Sequence, residues 1–105
     1  MVKVKVTITR YVGDEPQPGL VECELVDAHG RRWAFVDKTA IFSADNLDAT
    51  SPSPKSGVIA CEVIGRVRDA AGRAVVQIDT ERPWSVGSVE GATRFEVFAE
   101  SLVEE

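Results

Sequence analysis

Histidine, cysteine and aromatic residues are scarce in this chain of 105 residues, which has one histidine, two cysteines and 7% aromatics. One histidine and two widely separated cysteines give no zinc-ligand spacing. The lone His29 sits in a turn-forming segment, where a general base would lack the orienting partner and pocket it needs. No serine, histidine and aspartate stand in a triad arrangement, no glycine-rich phosphate loop is present, and neither Cys23 nor Cys61 has a local activator. These absences leave no residue pattern that implies a cofactor or a metal.

Long apolar runs are absent too, and none approaches the roughly 20 residues of a membrane-spanning helix. Met1 to Val6 alternates apolar and polar residues, unlike the unbroken apolar core of a signal peptide. The expectation is a cytoplasmic protein with Cys23 and Cys61 as buried thiols, because the reducing cytosol disfavours a disulfide. Positive charge is in the minority: 12 Lys and Arg stand against 17 Asp and Glu, for a net charge of -5. That balance disfavours nucleic acid, whose binding depends on neutralising phosphates. It suits a partner with a basic surface.

What the chain does contain is period-two alternation. Val2 to Tyr11 sets Val2, Val4, Val6 and Ile8 against Lys3, Lys5, Thr7 and Thr9, the pattern of a half-buried strand. Gly13 to Gly19 includes Pro16 and Pro18 and reads as a loop. Further strands are expected over Leu20–Asp27, Arg32–Val36, Val58–Arg68, Val75–Asp79 and Ala92–Val103. Gly65 interrupts the fourth of these six strands and marks a bulge or bend.

Two connections resemble each other. Asp27-Ala28-His29-Gly30-Arg31 is echoed by Asp69-Ala70-Ala71-Gly72-Arg73. Each suits a hairpin turn in which the aspartate bonds the turn's backbone and the glycine takes positive φ. The echo extends to Asp37 and Asp79, which close the two return strands. A second pattern, a buried-type residue followed by glutamate and two apolar residues, begins at Cys23, Cys61 and Phe95. Such spacing can mark internal duplication, although hairpins and half-buried strands draw on few residue types and converge readily.

These features predict one all-β domain over residues 1–105. Its expected architecture is a six-stranded antiparallel barrel, closed or partly open and OB-like or SH3-like, with a small β-sandwich as the alternative. Residues 38–57 form a long irregular loop in this reading, with a short helical turn near Ser43–Asp48 capped by Ser43.

Three candidate surfaces follow. Ile41, Phe42, Pro83 and Trp84 lie in the irregular stretches beyond Asp37 and Asp79. Such residues either plug the barrel end, as a thin core favours, or stay exposed as anchors of a protein interface. Asp37 and Asp79, if brought together, would form a ligand-binding or weakly catalytic mouth; otherwise each caps its own loop. Trp33 and Phe35 share a strand face and, with nearby arginines, would imitate an oligonucleotide-binding sheet. The acidic balance, and glutamates at 22, 24, 62 and 96 placed to pair with those arginines, favour core packing instead. The leading expectation is a non-enzymatic protein-binding module for a basic partner, with an inhibitor or immunity-type protein as its specific version.

Overall fold

Alternation in the first strand sets the architecture. In the computed structural model, which describes residues 1–13, 19–43 and 54–104, β1 runs over Val2–Gly13 with Val4, Val6 and Ile8 turned inward and Lys5 and Thr7 outward. Its length lets it serve three neighbours. It pairs with β2 (Leu20–Val26) from Thr7 to Gly13, and with β4 (Lys55–Ala60) from Lys3 to Ile8. It also pairs with β8 (Leu102–Glu104) from Val2 to Val4. With β3 (Arg32–Lys38) beyond β2, these strands make a five-stranded antiparallel sheet. A second antiparallel sheet holds β5 (Glu62–Arg68), β6 (Ala74–Asp79) and β7 (Arg94–Phe98) in that order.

The protein is therefore all-β with two antiparallel sheets, and among the described residues no ladder joins them into a closed cylinder. Two of the six expected strands are each divided between the sheets. Val58–Arg68 was read as one strand; it breaks at Cys61, whose amide donates to the Val2 carbonyl at 3.0 Å. Ala92–Val103 breaks at a 3-10 turn, Ala99–Ser101, between β7 and β8. Corners of this kind carry a strand from one packed sheet to another. Periodicity alone missed them because apolar side chains continue on both sides of the corner.

Gly65 does mark a bulge, since the β5–β6 register shifts between Val63 and Gly65. A Cβ at Gly65 would lie 2.2 Å from Gln77 Oε1. The missing side chain lets Gln77 fold across the strand and donate to Glu96 at 3.0 Å.

The core lies between the sheets, with Val4, Leu25, Phe35 and Ile59 from one packed with Val76, Ile78 and Val97 from the other. Phe95 makes edge-to-face contacts with both Trp33 and Phe35, at 5.1 Å and 5.7 Å between ring centres. Such pairs add directional packing to simple burial. Cys23 and Cys61 are buried free thiols.

The irregular stretch is shorter than the 38–57 expected. Lys38 ends β3, a single helical turn α1 spans Thr39–Phe42, and β4 begins at Lys55. The helical turn expected over Ser43–Asp48 lies, apart from Ser43, outside the described residues, and Ser43 is instead the C-cap of α1.

The two echoed turns share one hydrogen-bond pattern. Asp27 Oδ1 accepts the His29 and Arg31 amides at 2.8 and 2.9 Å. Asp69 Oδ1 accepts those of Ala71 and Arg73 at 2.9 and 2.8 Å. Gly30 and Gly72 take φ of 79° and 83°, the left-handed region that glycine enters freely. The surroundings differ. The second turn is exposed; the first docks on β7, where the Ala28 amide donates to the Glu96 carbonyl at 2.7 Å.

Candidate functional site

The four loop residues singled out in the sequence separate into two roles. Phe42 is a plug, 1% exposed, whereas Trp84 is 57% exposed. Local geometry explains the difference. In one helical turn, residues three apart fall on the same side. Thr39 and Phe42 of α1 accordingly point inward, leaving Ala40 and Ile41 toward the surface. The turn is tied down by the Thr39 amide, which donates to the Gly19 carbonyl at 3.1 Å.

Trp84 rides on a loop held from below. Thr80 is fully buried, and its hydroxyl donates to the Val86 carbonyl at 2.5 Å while its carbonyl accepts the Val86 amide at 3.0 Å. The Ser85 amide donates to the Glu81 carbonyl, and the Ser85 hydroxyl to Glu81 Oε1, both at 2.8 Å. Buried Val86 fastens the far end. The Arg82–Pro83 peptide is cis and Ser85 has φ of 57°. The hydrogen bonds to Thr80 and Glu81 tie down the loop that presents the exposed indole.

Beside that indole is a groove of about 370 Å³ lined by Lys3, Ala40, Ile41, Val58, Ala60 and Trp84. Ile41 and Trp84, far apart in sequence, thus meet on one surface. Pro83 lines a neighbouring depression of about 320 Å³ with Met1, Val2, Cys61, Glu62, Val63 and Arg82. The sequence reading missed Lys3, Val58 and Ala60. Alternation places them on the face opposite Val4 and Ile59, but their meeting depends on the β1–β4 register, which sets Lys3 against Ala60.

Asp37 and Asp79 lie in different sheets, Asp37 on β3 and Asp79 at the end of β6. Asp37 Oδ1 accepts the Lys38 amide at 2.8 Å. Asp79 Oδ1 accepts the Glu81 amide at 2.9 Å, and its Oδ2 faces Arg94 Nε at 3.4 Å. The Glu81 amide, helped by Thr93 and Arg94, holds the Asp79 carboxyl below the ordinary aspartate range. Neither aspartate lines either depression beside Trp84. Among the described residues no group of three or more His, Cys, Asp or Glu side chains is placed to hold a metal.

His29 is more than a solvated turn residue. Its Nε2 lies 2.7 Å from Glu96 Oε1, which clamps the first hairpin to β7 although the side chains stay partly exposed. The hydrogen bond to Glu96 raises the imidazole pKa above its ordinary value. Glu96 moves the opposite way, lowered first by Gln77 and then by His29. Of the expected cross-sheet pairs, Arg32–Glu24 forms loosely at 3.9 Å, while Glu22 pairs at 3.1 Å with Arg10, an arginine outside that expectation. Glu96 instead takes His29 and Gln77 as partners.

Trp33 is half-buried. Its indole N–H donates to Asp27 Oδ2 at 2.9 Å, and the Arg31 guanidinium covers the ring at 3.7 Å. Phe35 is buried. A stacking platform for bases needs an open ring face, and this arrangement occupies Trp33 with Arg31 and Phe95.

No protein-family model, curated protein or solved structure matches the chain. Its class is defined by the fold alone: an all-β protein of two antiparallel sheets. Among the described residues no helix is long and apolar enough to cross a membrane.

Proposed function

We propose that this chain is a non-enzymatic protein-binding module whose anchor is Trp84, seated beside the groove that Ile41 helps to line. The observation that carries this reading is the exposed indole on a loop pinned by Thr80, Glu81 and Val86. Large exposed aromatics at the centre of a contact supply much of its binding energy, and a fixed mount lowers the ordering cost. The groove accepts an apolar side chain of the partner against Ile41, Val58 and Ala60. The net charge of -5 steers a basic partner toward the molecule. An inhibitor or immunity-type role is the specific version of this proposal. The scaffold is akin to a partly open barrel, a reading supported by the two chains of strands that turn from one sheet into the other.

The test is selection of ligands from a displayed peptide library on the immobilised chain, followed by titration in solution. Trp84→Ala should weaken groove-directed ligands by roughly thirtyfold, equivalent to about 2 kcal/mol. Val89→Ala, which truncates another exposed apolar residue, should leave them unchanged. For a basic ligand the association rate should fall as salt is added. Ligands that bind Trp84→Ala as tightly as the unaltered chain would contradict the proposal.

A further inference from the structure

Sheet edges present unpaired backbone donors and acceptors that another strand can extend. Three edges in this molecule meet something of their own chain. The Val89 amide bonds the Ala34 carbonyl on β3 at 2.8 Å, α1 packs against β4, and the Ala28 amide bonds the Glu96 carbonyl on β7 at 2.7 Å. The outer edge of β5 carries no such backbone bond among the described residues. The strand is exposed from Arg66 to Arg68, and Ile64 and Val67 are each 45% exposed.

The register defines what this edge would accept. Arg66 lies opposite Val76, and Arg68 opposite Ala74, so the two arginines share one face; Val67, opposite Val75, points to the other. Arg66 and Arg68 flank a depression of about 280 Å³ whose lining also takes in Val67 and Val75, so it wraps around the strand edge. Arg68 already donates to the Gly72 carbonyl at 2.8 Å, but a guanidinium has five N–H donors in all.

A second copy of the chain is a poor occupant. Antiparallel pairing about Val67 sets Arg66 of one copy against Arg68 of the other, and pairing about Arg66 sets that arginine against itself. Pairing about Gly65 runs into the bulge at Val63–Gly65. Like charges directly opposite are unfavourable, and opposite charges favourable.

We propose that the outer edge of β5 binds an extended acidic segment of another protein by strand addition. Two carboxylates two residues apart would pair with Arg66 and Arg68, and an apolar residue between them would lie beside Val67. Backbone hydrogen bonds along residues 65–68 supply the general affinity, and the two arginines select the sign of charge. Bulges and edge charges also guard against aggregation, and here the same arginines that deter a second copy attract an acidic strand. This surface is independent of the Trp84 groove.

The test is a titration of the isotopically labelled full chain with a short capped peptide whose centre reads glutamate, valine, glutamate. A peptide with lysines in place of the glutamates is the control. Amides 65–68 should shift and gain exchange protection with the acidic peptide, while the lysine peptide binds at least about tenfold more weakly. Arg66→Glu with Arg68→Glu should reverse that preference. Arg66→Glu alone, which leaves the Arg68–Gly72 bond in place, should abolish it. Equal binding of the two peptides, a response confined to the Trp84 groove, no response at millimolar peptide, or sedimentation as a dimer paired through β5 would each overturn the assignment.

Discussion

Asp27 and Asp69 offer a built-in comparison, because they make the same turn in different surroundings. Each accepts two backbone amides through Oδ1. Asp27 is 9% exposed and also accepts the Trp33 indole N–H through Oδ2 at 2.9 Å. Alanine at position 69 lets two exposed amides return to water and should cost about 1 kcal/mol, as loss of a polar cap does. Alanine at position 27 removes the same two bonds and also strands the half-buried indole. At about 1.5–3 kcal/mol for a bond to a charged acceptor, the total becomes roughly 3 kcal/mol.

Denaturant unfolding of the unaltered chain, Asp27→Ala and Asp69→Ala at neutral pH measures the difference. Asp27→Asn should fall between them, since its carbonyl keeps the two amides while its NH2 opposes the indole donor. Burial acts against the Asp27 carboxylate, but the Trp33 indole and the Arg31 and His29 amides outweigh it and hold its pKa below the ordinary aspartate value. A depressed folded pKa gives stability that is present above the unfolded value and lost as pH falls through the folded one. The advantage over Asp27→Ala should therefore persist at pH 5 and shrink below about pH 4. Equal costs for the two alanine variants would refute the argument that docking, rather than turn chemistry, distinguishes the hairpins.

His29 gives the opposite pH dependence. Its raised pKa means that the Glu96 clamp contributes fully below about 6.5 and fades as pH rises through the folded value. His29→Ala should flatten that limb of the stability–pH profile, as followed by thermal melts across neutral pH. Phe42→Ala empties a buried site and should cost about 3–5 kcal/mol in chemical unfolding, whereas Trp84→Ala should stay within about 1 kcal/mol of the unaltered chain. Burial pushes the Cys23 thiol up to about 12 and the Cys61 thiol to about 11. Thiol labelling in native buffer should be slow, with Cys61 at its sheet corner modified before fully buried Cys23; peptide mapping would give the order.

Strand content was legible in the sequence because side-chain alternation reports directly on a sheet with one buried face, as at Val4, Val6 and Ile8. The hairpin turns were legible because Asp27, Gly30, Asp69 and Gly72 carry their own local chemistry. Closure was not. Whether β5 continues the first sheet or begins a second depends on the corner at Cys61, and that corner follows from contacts with Val2 far away in the chain. The candidate site was legible in part for the same reason. Ile41 and Trp84 stood out as apolar residues in irregular stretches, and Phe42 carried the same signal although it is a plug. Phase within a helical turn separates Ile41 from Phe42, and that phase was unavailable without the turn's start at Thr39. The roles of Lys3, Val58 and Ala60 rest on a register that sequence does not encode locally.

The central claim is that Trp84 and Ile41 mark the working surface. Its most direct test is a methyl-resolved NMR titration of the full chain with the tightest ligand selected on it. Shifts at Ile41 and Val58, together with indole shifts at Trp84, are the predicted result, with Val89 unaffected. Shifts centred on any other surface, with Ile41, Val58 and Trp84 unmoved, would contradict the account.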